Sequence, residues 1–488
     1  MASNKERIVV VSNREPYSVK LTLDGVAVQK NAGGLVSALE PMVKQSNGLW
    51  VCWEGEAGSK SQLSSVINEM SENEGRSCFP FSVLPVALTD DEINHYYNGY
   101  ANRVLWPLFH YLVSYCVFWD EKAWPSYYSA NEKFAEKVIA HSQSNDLIWV
   151  HDYHLMLVPS MIRGEKHHAR IGWFCHIPFP NYEIYRHLPN RIELIRGVLG
   201  SDLVGFHVPS YVNHFLECVE RCLLEEVVVD RQARTVTYQG RTIKVIACPI
   251  SIDAEEFNAL SLGEDVYENS LELKKTFNVE FMGIGVDRLD YTKGIVERFK
   301  AIELFFDKYP QYKTRMTFVQ IGSPTRTDVP MYKKLKDEVD LVVGSINSRL
   351  AEGAWVPIQY FYRKFRHEQL MPYFATSDFC LITPLRDGMN LVAKEYCLTC
   401  KDDLGVLILS EMTGASEEMT EAVMVNPYDI ESMADAIYQA ITMPASEQRQ
   451  RMRALRERVE GFTVFDWVDQ FIKEFHDHER LNCEAVFS

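Results

Sequence analysis

Phe379-Cys380-Leu381-Ile382-Thr383-Pro384-Leu385-Arg386-Asp387-Gly388-Met389-Asn390-Leu391-Val392-Ala393-Lys394-Glu395-Tyr396 sets an apolar run, a glycine turn and a helical pattern side by side. Its first four residues are apolar and read as a buried strand. Asp387-Gly388 is a turn signal, and residues 389–396 have a helical pattern. A strand, a glycine turn and a helix start together form an anion site, because first-turn N–H groups have no acceptor inside the helix. Asp387 and Glu395 are eight residues apart, which a continuous helix would convert into roughly 12 Å. That is about the reach from the sugar to the ribose of a nucleotide sugar. The expectation is a diphosphate at the helix start, with one carboxylate near each sugar. The plain alternative is an ordinary strand-to-helix turn with a capping Asp, and the rest of the chain must decide.

Working outward, the same alternation fills both halves. In the second half, strand signals at 283–286, 315–321, 357–361 and 406–410 alternate with helical patterns at 295–308, 331–343, 368–374, 430–440 and 446–459. In the first half, strands at 8–11, 49–53, 81–87, 147–150, 170–175 and 203–206 alternate with helices at 35–44, 90–100, 130–141 and 211–224. A hairpin at 235–247 about Gln239-Gly240 closes it. This predicts an α/β protein with two doubly wound Rossmann-like domains facing a cleft, with ligands at the carboxyl ends of the strands. The predicted domains are residues 1–250 and 251–462, followed by a last amphipathic helix in 463–488. The polar run 254–269 is expected to be a surface linker. Asp24-Gly25 is a hairpin turn signal.

A chain of 488 residues exceeds one core. Its formal net charge of −17 argues against a general nucleic-acid or anionic-membrane binder. Any phosphate site must therefore be a local basic cluster. No apolar run reaches membrane-spanning length, and the N-terminus is polar, so the expected location is the cytoplasm. The eleven cysteines are scattered. Cys397-x-x-Cys400 and Cys218-x-x-x-Cys222 fall in helical patterns without a nearby His pair and read as buried structural thiols.

Polar residues recur at the predicted strand ends. Ser12-Asn13-Arg14, His151-Asp152-Tyr153-His154 and His176-Ile177-Pro178-Phe179-Pro180 do so in the first half. Asn31-Ala32-Gly33-Gly34 opens a helix, where glycines let backbone approach a ligand. In the second half Arg288 and Lys293 bracket one turn and suit two adjacent phosphates. Arg14 and Arg326, one in each half, suit a second anion. Gly283-Ile284-Gly285 lies inside a strand pattern and is not read as a cofactor loop. No Asp-x-Asp pair stands at a strand end, so cationic side chains and helix ends are expected to neutralise a leaving diphosphate, with no metal and no cofactor.

Together these motifs resemble the trehalose-6-phosphate synthase family of retaining glycosyltransferases. The resemblance rests on Val10-Val11-Ser12-Asn13-Arg14, Gly33-Gly34-Leu35, Val104-Leu105-Trp106-Pro107, the two histidine motifs above, residues 287–294 and residues 383–396, and spans nearly the whole chain. It implies a GT-B fold whose C-terminal helix crosses back to the first domain. The implied reaction moves glucose from UDP-glucose to glucose 6-phosphate, giving α,α-trehalose 6-phosphate and UDP. By resemblance Arg14, Trp53, Tyr97, Trp106, Asp152 and Arg326 form the acceptor site, with Arg14, Tyr97 and Arg326 on its phosphate. Gly34, Arg288 and Lys293 hold the donor diphosphate, and Phe365 neighbours the uracil. The backbone of Gly388, Met389, Asn390, Leu391, Val392, Ala393 and Lys394 runs beside the diphosphate, and Glu395 meets the ribose. Asp387 and His176 contact the transferred glucose and, with Arg288 and Lys293, are the implied catalytic residues.

Retaining glycosidases pair two carboxylates, one a nucleophile. Only Asp387 is placed near the reacting sugar here. The family is thought to use same-face attack, in which the leaving phosphate oxygen takes the acceptor's proton, with domain closure excluding water. Glu15-Pro16-Tyr17 varies within the family, and glucosylglycerol-phosphate synthases share Arg-Glu-Pro-Tyr, so glycerol 3-phosphate is the alternative acceptor. Gly33-Gly34 and Pro324-Thr325-Arg326 weigh against it. A non-catalytic sugar-phosphate sensor is a further alternative, opposed by the presence of Arg288, Lys293, Asp387 and Glu395. The acidic charge leads us to expect no nucleic-acid or membrane partner, the short stretch after the last helix leads us to expect no fused phosphatase domain, and a homo-oligomer is left open.

Overall fold

The structure, a computed structural model, describes residues 6–22, 25–30, 34–53 and 80–487. Asp24 of the predicted turn, and Asn31, Ala32 and Gly33 of the glycine motif, lie outside the described residues. The chain divides into two compact units, one made of Met1–Ile250 with Val464–Ser488 and the other of Ser251–Thr463. Each unit is doubly wound, as the alternation predicted.

The strands of the first unit are β1 (Ile8–Ser12), β2 (Tyr17–Thr22), β3 (Gly25–Lys30), β4 (Leu49–Trp53), β5 (Ser82–Val86), β6 (Leu147–His151), β7 (Arg170–Phe174), β8 (Leu203–Phe206), β9 (Val227–Asp230), β10 (Thr235–Tyr238) and β11 (Arg241–Ala247). The main sheet runs β5-β4-β1-β6-β7-β8-β11-β10-β9, while β2 and β3 pair as a separate hairpin. All neighbours from β5 to β11 are parallel; β10 and β9 are antiparallel. The central strands β1, β4 and β6 are buried along their whole length, as expected of strands covered on both faces.

The helix Val464–Phe487 belongs to this unit. Its Phe471 ring stacks on Trp149, with centroids 4.1 Å apart. A Cβ built on Gly172 or Gly205 would come within 2.8 Å and 3.0 Å of that ring, so glycine on β7 and β8 makes the seat. Arg170 Nε donates to Glu479 at 2.5 Å and fastens the helix further along.

The second unit has β12 (Phe281–Arg288), β13 (Met316–Ser323), β14 (Ile358–Tyr362), β15 (Phe379–Ile382), β16 (Val406–Ser410) and β17 (Val423–Val425), in the order β14-β13-β12-β15-β16-β17. All its strands are parallel. The run expected to be a linker is instead two helices, Ala254–Ser261 and Glu264–Phe277. Asp253 caps the first by accepting from Glu256 N at 3.0 Å. Asn278 ends the second in a left-handed turn, φ 51°. Local capping thus outweighed the polar composition that suggested a linker. Among the described residues no helix is long and apolar enough to cross a membrane.

Candidate active site

In an open parallel sheet the ligand crevice lies where strand order reverses. In the first unit that point is between β1 and β6, and in the second between β12 and β15. The candidate residues cluster at both.

In the first unit, Ser12 Oγ at the end of β1 accepts from Trp50 Nε1 at 2.8 Å and donates to Arg14 O at 2.9 Å. These bonds shape the strand end that carries Arg14. The exposed Arg14 donates through Nη2 to Tyr97 Oη at 2.9 Å. Trp53, at the end of β4, packs against Tyr97 with centroids 5.2 Å apart. Tyr97 stacks on His154 at 5.8 Å, and the adjacent Tyr153 lies 5.8 Å from Trp106. Five of the predicted residues therefore share one surface: Arg14, Trp53, Tyr97, Trp106 and, from the same loop as Tyr153, Asp152.

Tyr97 and Trp106 meet there because of an unusual helix. The expected helix at 90–100 has only a short α turn, Asp90–Glu92, before a π-helix, Ile93–Leu105. Nine residues of α-helix turn the chain through about two and a half turns, placing Tyr97 and Trp106 on opposite sides. With i→i+5 bonding the period is roughly 4.4 residues, and nine residues make about two whole turns. Both rings then face the Tyr153–His154 loop.

Asp152 has φ 75° and ψ 170°, a backbone conformation that costs a non-glycine residue on the order of 1–3 kcal/mol. Its N–H donates to Phe174 O at 2.7 Å, and its Oδ1 accepts from His176 N at 3.2 Å. These bonds hold it at the strand end in spite of the strain. His176 is half-buried. Burial, with His151 and His207 beside it, pushes its imidazole well below the usual histidine range, so the ring is neutral.

In the second unit Lys293 and Asp387 meet across the switch point, with Nζ 2.5 Å from Oδ2. Asp387 also accepts from Gly388 N and from Asn390 Nδ2, each at 3.0 Å. The helix begins at Leu391 rather than at Asp387, and ends at Thr399. Asn390 is its N-cap, in a left-handed conformation, and accepts from Ala393 N at 3.3 Å. The helical spacing of Asp387 and Glu395 therefore does not apply: a turn carries the first half of that span. Asn390 takes the Ala393 N–H, leaving Leu391 and Val392 as the first-turn donors without a helical acceptor.

Gly388, Met389 and Asn390 form this turn, and Val392 lies in the first turn of the helix that follows. Lys394 turns inward instead and pairs with Glu418 at 2.8 Å, so what it can offer a ligand is backbone. Glu395 is half-buried, and burial, with Glu256 nearby, pushes its carboxyl up to about 7. Gly34 opens the helix Gly34–Gln45 of the first unit. Arg288, at the end of β12, is exposed. Phe365 is buried among Phe361 and Tyr373, each 5.9 Å away, with the Arg363 guanidinium 4.6 Å over its ring.

Arg326 is engaged within its own unit. It lies in the second unit with φ 47°, buried, its Nη1 3.2 Å from Asp290 Oδ2 and 2.5 Å from Tyr332 Oη. Asp290 is fully buried, and its carboxylate draws the guanidinium inward. Burial alone would raise that carboxyl, but Arg326, Arg288 and the Thr292 N–H outweigh it and hold it below the usual range.

Arg298 was not read as a site residue. Its guanidinium is fully buried and donates to Asp287 at 2.5 Å, Gln320 at 2.8 Å, Thr383 at 3.0 Å and the Lys293 carbonyl at 3.4 Å. It thereby ties the ends of β12, β13 and β15 to the loop that carries Lys293. Gly285 leaves room for it, since a Cβ there would lie 2.6 Å from Arg298 Nη1. The signal was present: Arg298 occupies a slot of the apolar stripe Ile295, Phe299, Ile302, Phe305 and Phe306.

The model for glycosyltransferase family 20 matches residues 6–477. The chain is similar to alpha,alpha-trehalose-phosphate synthase [UDP-forming] A of Dictyostelium discoideum, 40% identical over 96% of this chain and 62% of that protein, so it spans less than two thirds of that relative. It is also similar to the 56 kDa subunit of the same UDP-forming synthase from Saccharomyces cerevisiae, 38% identical over 97% of this chain and 95% of the relative. Among solved structures, the UDP-forming synthase of Burkholderia xenovorans in complex with glucose-6-phosphate superposes with a TM-score of 0.84 at 31% identity, covering 96% of this chain and 100% of that one. With this likeness the fold class is GT-B, and the chain belongs to glycosyltransferase family 20.

Proposed function

We propose that the protein transfers glucose from UDP-glucose to glucose 6-phosphate with retention, releasing UDP and α,α-trehalose 6-phosphate. The observation that carries this reading is the pair of strand ends that bear cationic side chains. One is built around Arg14 and Tyr97, the other around Arg288, Lys293 and the helix start at Leu391. The first suits a sugar phosphate, with Trp53, Trp106 and Asp152 for its ring and hydroxyls. The second suits a nucleoside diphosphate, with Glu395 for ribose hydroxyls and Phe365 beside the base. The relatives' names favour glucose 6-phosphate over glycerol 3-phosphate.

In this reading the C1–O bond to UDP breaks and a C1–O bond to the acceptor's anomeric hydroxyl forms on the same face. The acceptor proton passes to the departing diphosphate oxygen. Asp387 is poorly suited as a nucleophile because its oxygens already serve Lys293, Asn390 and Gly388 N–H. Its role is to orient the glucose, while Arg288, Lys293 and the first-turn N–H groups stabilise the charge that builds on the diphosphate. The neutral His176 is a hydrogen-bonding contact to the migrating sugar, not a proton store. We place the enzyme in the cytoplasm, a reducing compartment that suits the free, mostly buried thiols among the described residues.

The test is UDP release with UDP-glucose and glucose 6-phosphate, with glycerol 3-phosphate run alongside. Faster release with glycerol 3-phosphate would overturn the acceptor. No release from any nucleoside diphosphate glucose would overturn the transferase reading.

A further inference from the structure

Behind His176 lies a second histidine that the reaction does not touch. His151 closes β6, is fully buried, and its Nδ1 is 3.1 Å from His176 Nε2. Its other nitrogen, Nε2, is also buried and meets no hydrogen-bond partner among the described residues. Trp149 and Trp467 lie against the ring, with centroids 4.9 Å and 6.4 Å away. His207 holds the backbone of the same loop. Its Nδ1 accepts from Ile250 N at 3.4 Å, so its Nε2 carries the proton given to His176 O at 3.2 Å. Asp152 Oδ1 takes the His176 N–H. His176 is thus fixed at its N–H, its carbonyl and its Nε2, which leaves Nδ1 as its one ring nitrogen without a partner among the described residues.

We infer that His151 is a positioning residue that sets the tautomer of His176, and so decides whether the nitrogen offered to the sugar donates or accepts. Two neutral imidazoles sharing one hydrogen bond have one proton between the facing nitrogens. If His151 Nδ1 carries it, His176 Nε2 accepts and His176 Nδ1 is protonated. If His176 Nε2 carries it, His176 Nδ1 is bare. The rings therefore always share a tautomer, both Nδ1–H or both Nε2–H. Opposite tautomers would set proton against proton or lone pair against lone pair. Burial, which lowers His151 to about 3, removes the alternative of a charged pair at neutral pH. The nitrogen offered to the sugar is consequently coupled to one that is buried and has no hydrogen-bond partner among the described residues. A ligand histidine is commonly oriented by the hydrogen bond its other nitrogen makes, and here a second imidazole supplies that partner.

The functional consequence rests on reading His176 as a contact to the transferred glucose, but the tautomer coupling does not. The test has two readouts. In nitrogen-15 spectra of histidine-labelled full-length protein, assigned with His151 and His176 variants, both rings should show the same tautomer. In His151→Phe, which keeps an aromatic ring but no nitrogen, His176 should change to a mixture. Opposite tautomers in the wild type, or an unchanged His176 in His151→Phe, would overturn the inference. In turnover, His151→Phe should lower kcat roughly tenfold with KM for glucose 6-phosphate within about twofold. His151→Asn, whose amide can still meet His176 Nε2, should recover most of that loss. Equal impairment of the two variants would reduce His151 to packing and overturn its positioning role. A wild-type protein that releases no UDP yet shows matched tautomers would instead overturn the transferase reading alone.

Discussion

Lys293 Nζ sits 2.5 Å from Asp387 Oδ2, joining the loops that come after β12 and β15 at the switch point of the second sheet. Both side chains are mostly shielded from solvent, so neither charge is independent of the other. The two should nevertheless fail differently. Lys293→Ala removes the proposed charge-assisted partner of the diphosphate and should weaken UDP binding by about 1.5–3 kcal/mol, or roughly 10- to 150-fold. Asp387→Asn should leave UDP binding within a few-fold while abolishing turnover, because UDP carries no glucose to orient. Calorimetric titration with UDP, beside a UDP-release assay, separates the two.

Arg298 should matter for stability more than any exposed arginine. Removing it leaves Asp287, which is nearly fully buried, as an uncompensated charge. Breaking such a pair costs about 3–5 kcal/mol. Arg298→Met should lower the urea midpoint accordingly, and adding Asp287→Leu should recover part of the loss. A double variant no more stable than the single one would contradict this account.

Glu395 gives the donor half-site a pH dependence of definite sign. Its folded carboxyl, raised to about 7, binds protons that the unfolded chain has already released above the ordinary carboxyl range. Its contribution to stability is therefore complete at pH below that range and is lost as pH rises to about 7. Glu395→Gln should raise Tm relative to wild type at pH 8 and not at pH 4. Ribose hydroxyls favour the charged carboxylate, so UDP binding should release protons near pH 6.5. Titrations in buffers of different ionisation enthalpy would reveal that release.

The π-helix makes a prediction about geometry rather than charge. Deleting Gly99, which lies between Tyr97 and Trp106, and restoring α winding would turn the two rings apart by roughly a quarter turn. Glucose 6-phosphate should then no longer saturate the enzyme, while UDP binding, whose proposed cationic contacts Arg288 and Lys293 lie in the other unit, should persist. Unchanged KM for the acceptor would show that the winding is incidental.

Much of the fold was legible because strand and helix periods differ and both recur. Phe379–Ile382, Val406–Ser410 and Ile295–Lys308 fall where the pattern put them. Failures occurred where composition stood in for local geometry. The polar run at 254–269 reads as a linker only if the capping role of Asp253 is overlooked. The π winding of Ile93–Leu105 has the same apolar content as an α-helix, so only the packing of Tyr97 and Trp106 on one loop reveals it. Arg14 and Tyr97 were associated only through the family resemblance, and the contact between Lys293 and Asp387 was not anticipated. The inward turns of Arg326 and Lys394 depend on Asp290 and Glu418, which are distant in sequence or unremarkable in pattern. His151 and Arg298 escaped for a related reason: each acts through a neighbour rather than at the surface.

The helix Val464–Phe487 has a consequence for biosynthesis. The chain leaves the first unit after Ile250 and rejoins it at Val464, so the whole second unit is synthesised in between. Until Phe471 emerges, the face of Trp149 beside Gly172 and Gly205 has no cover. At about 5–20 residues per second, making the intervening residues takes on the order of 10–40 s. For that interval the nascent first unit exposes an aromatic surface that only its own C-terminal helix is shaped to fill. Truncation before Phe471 would leave every proposed substrate contact encoded, yet yield a chain that chaperones hold and proteases find.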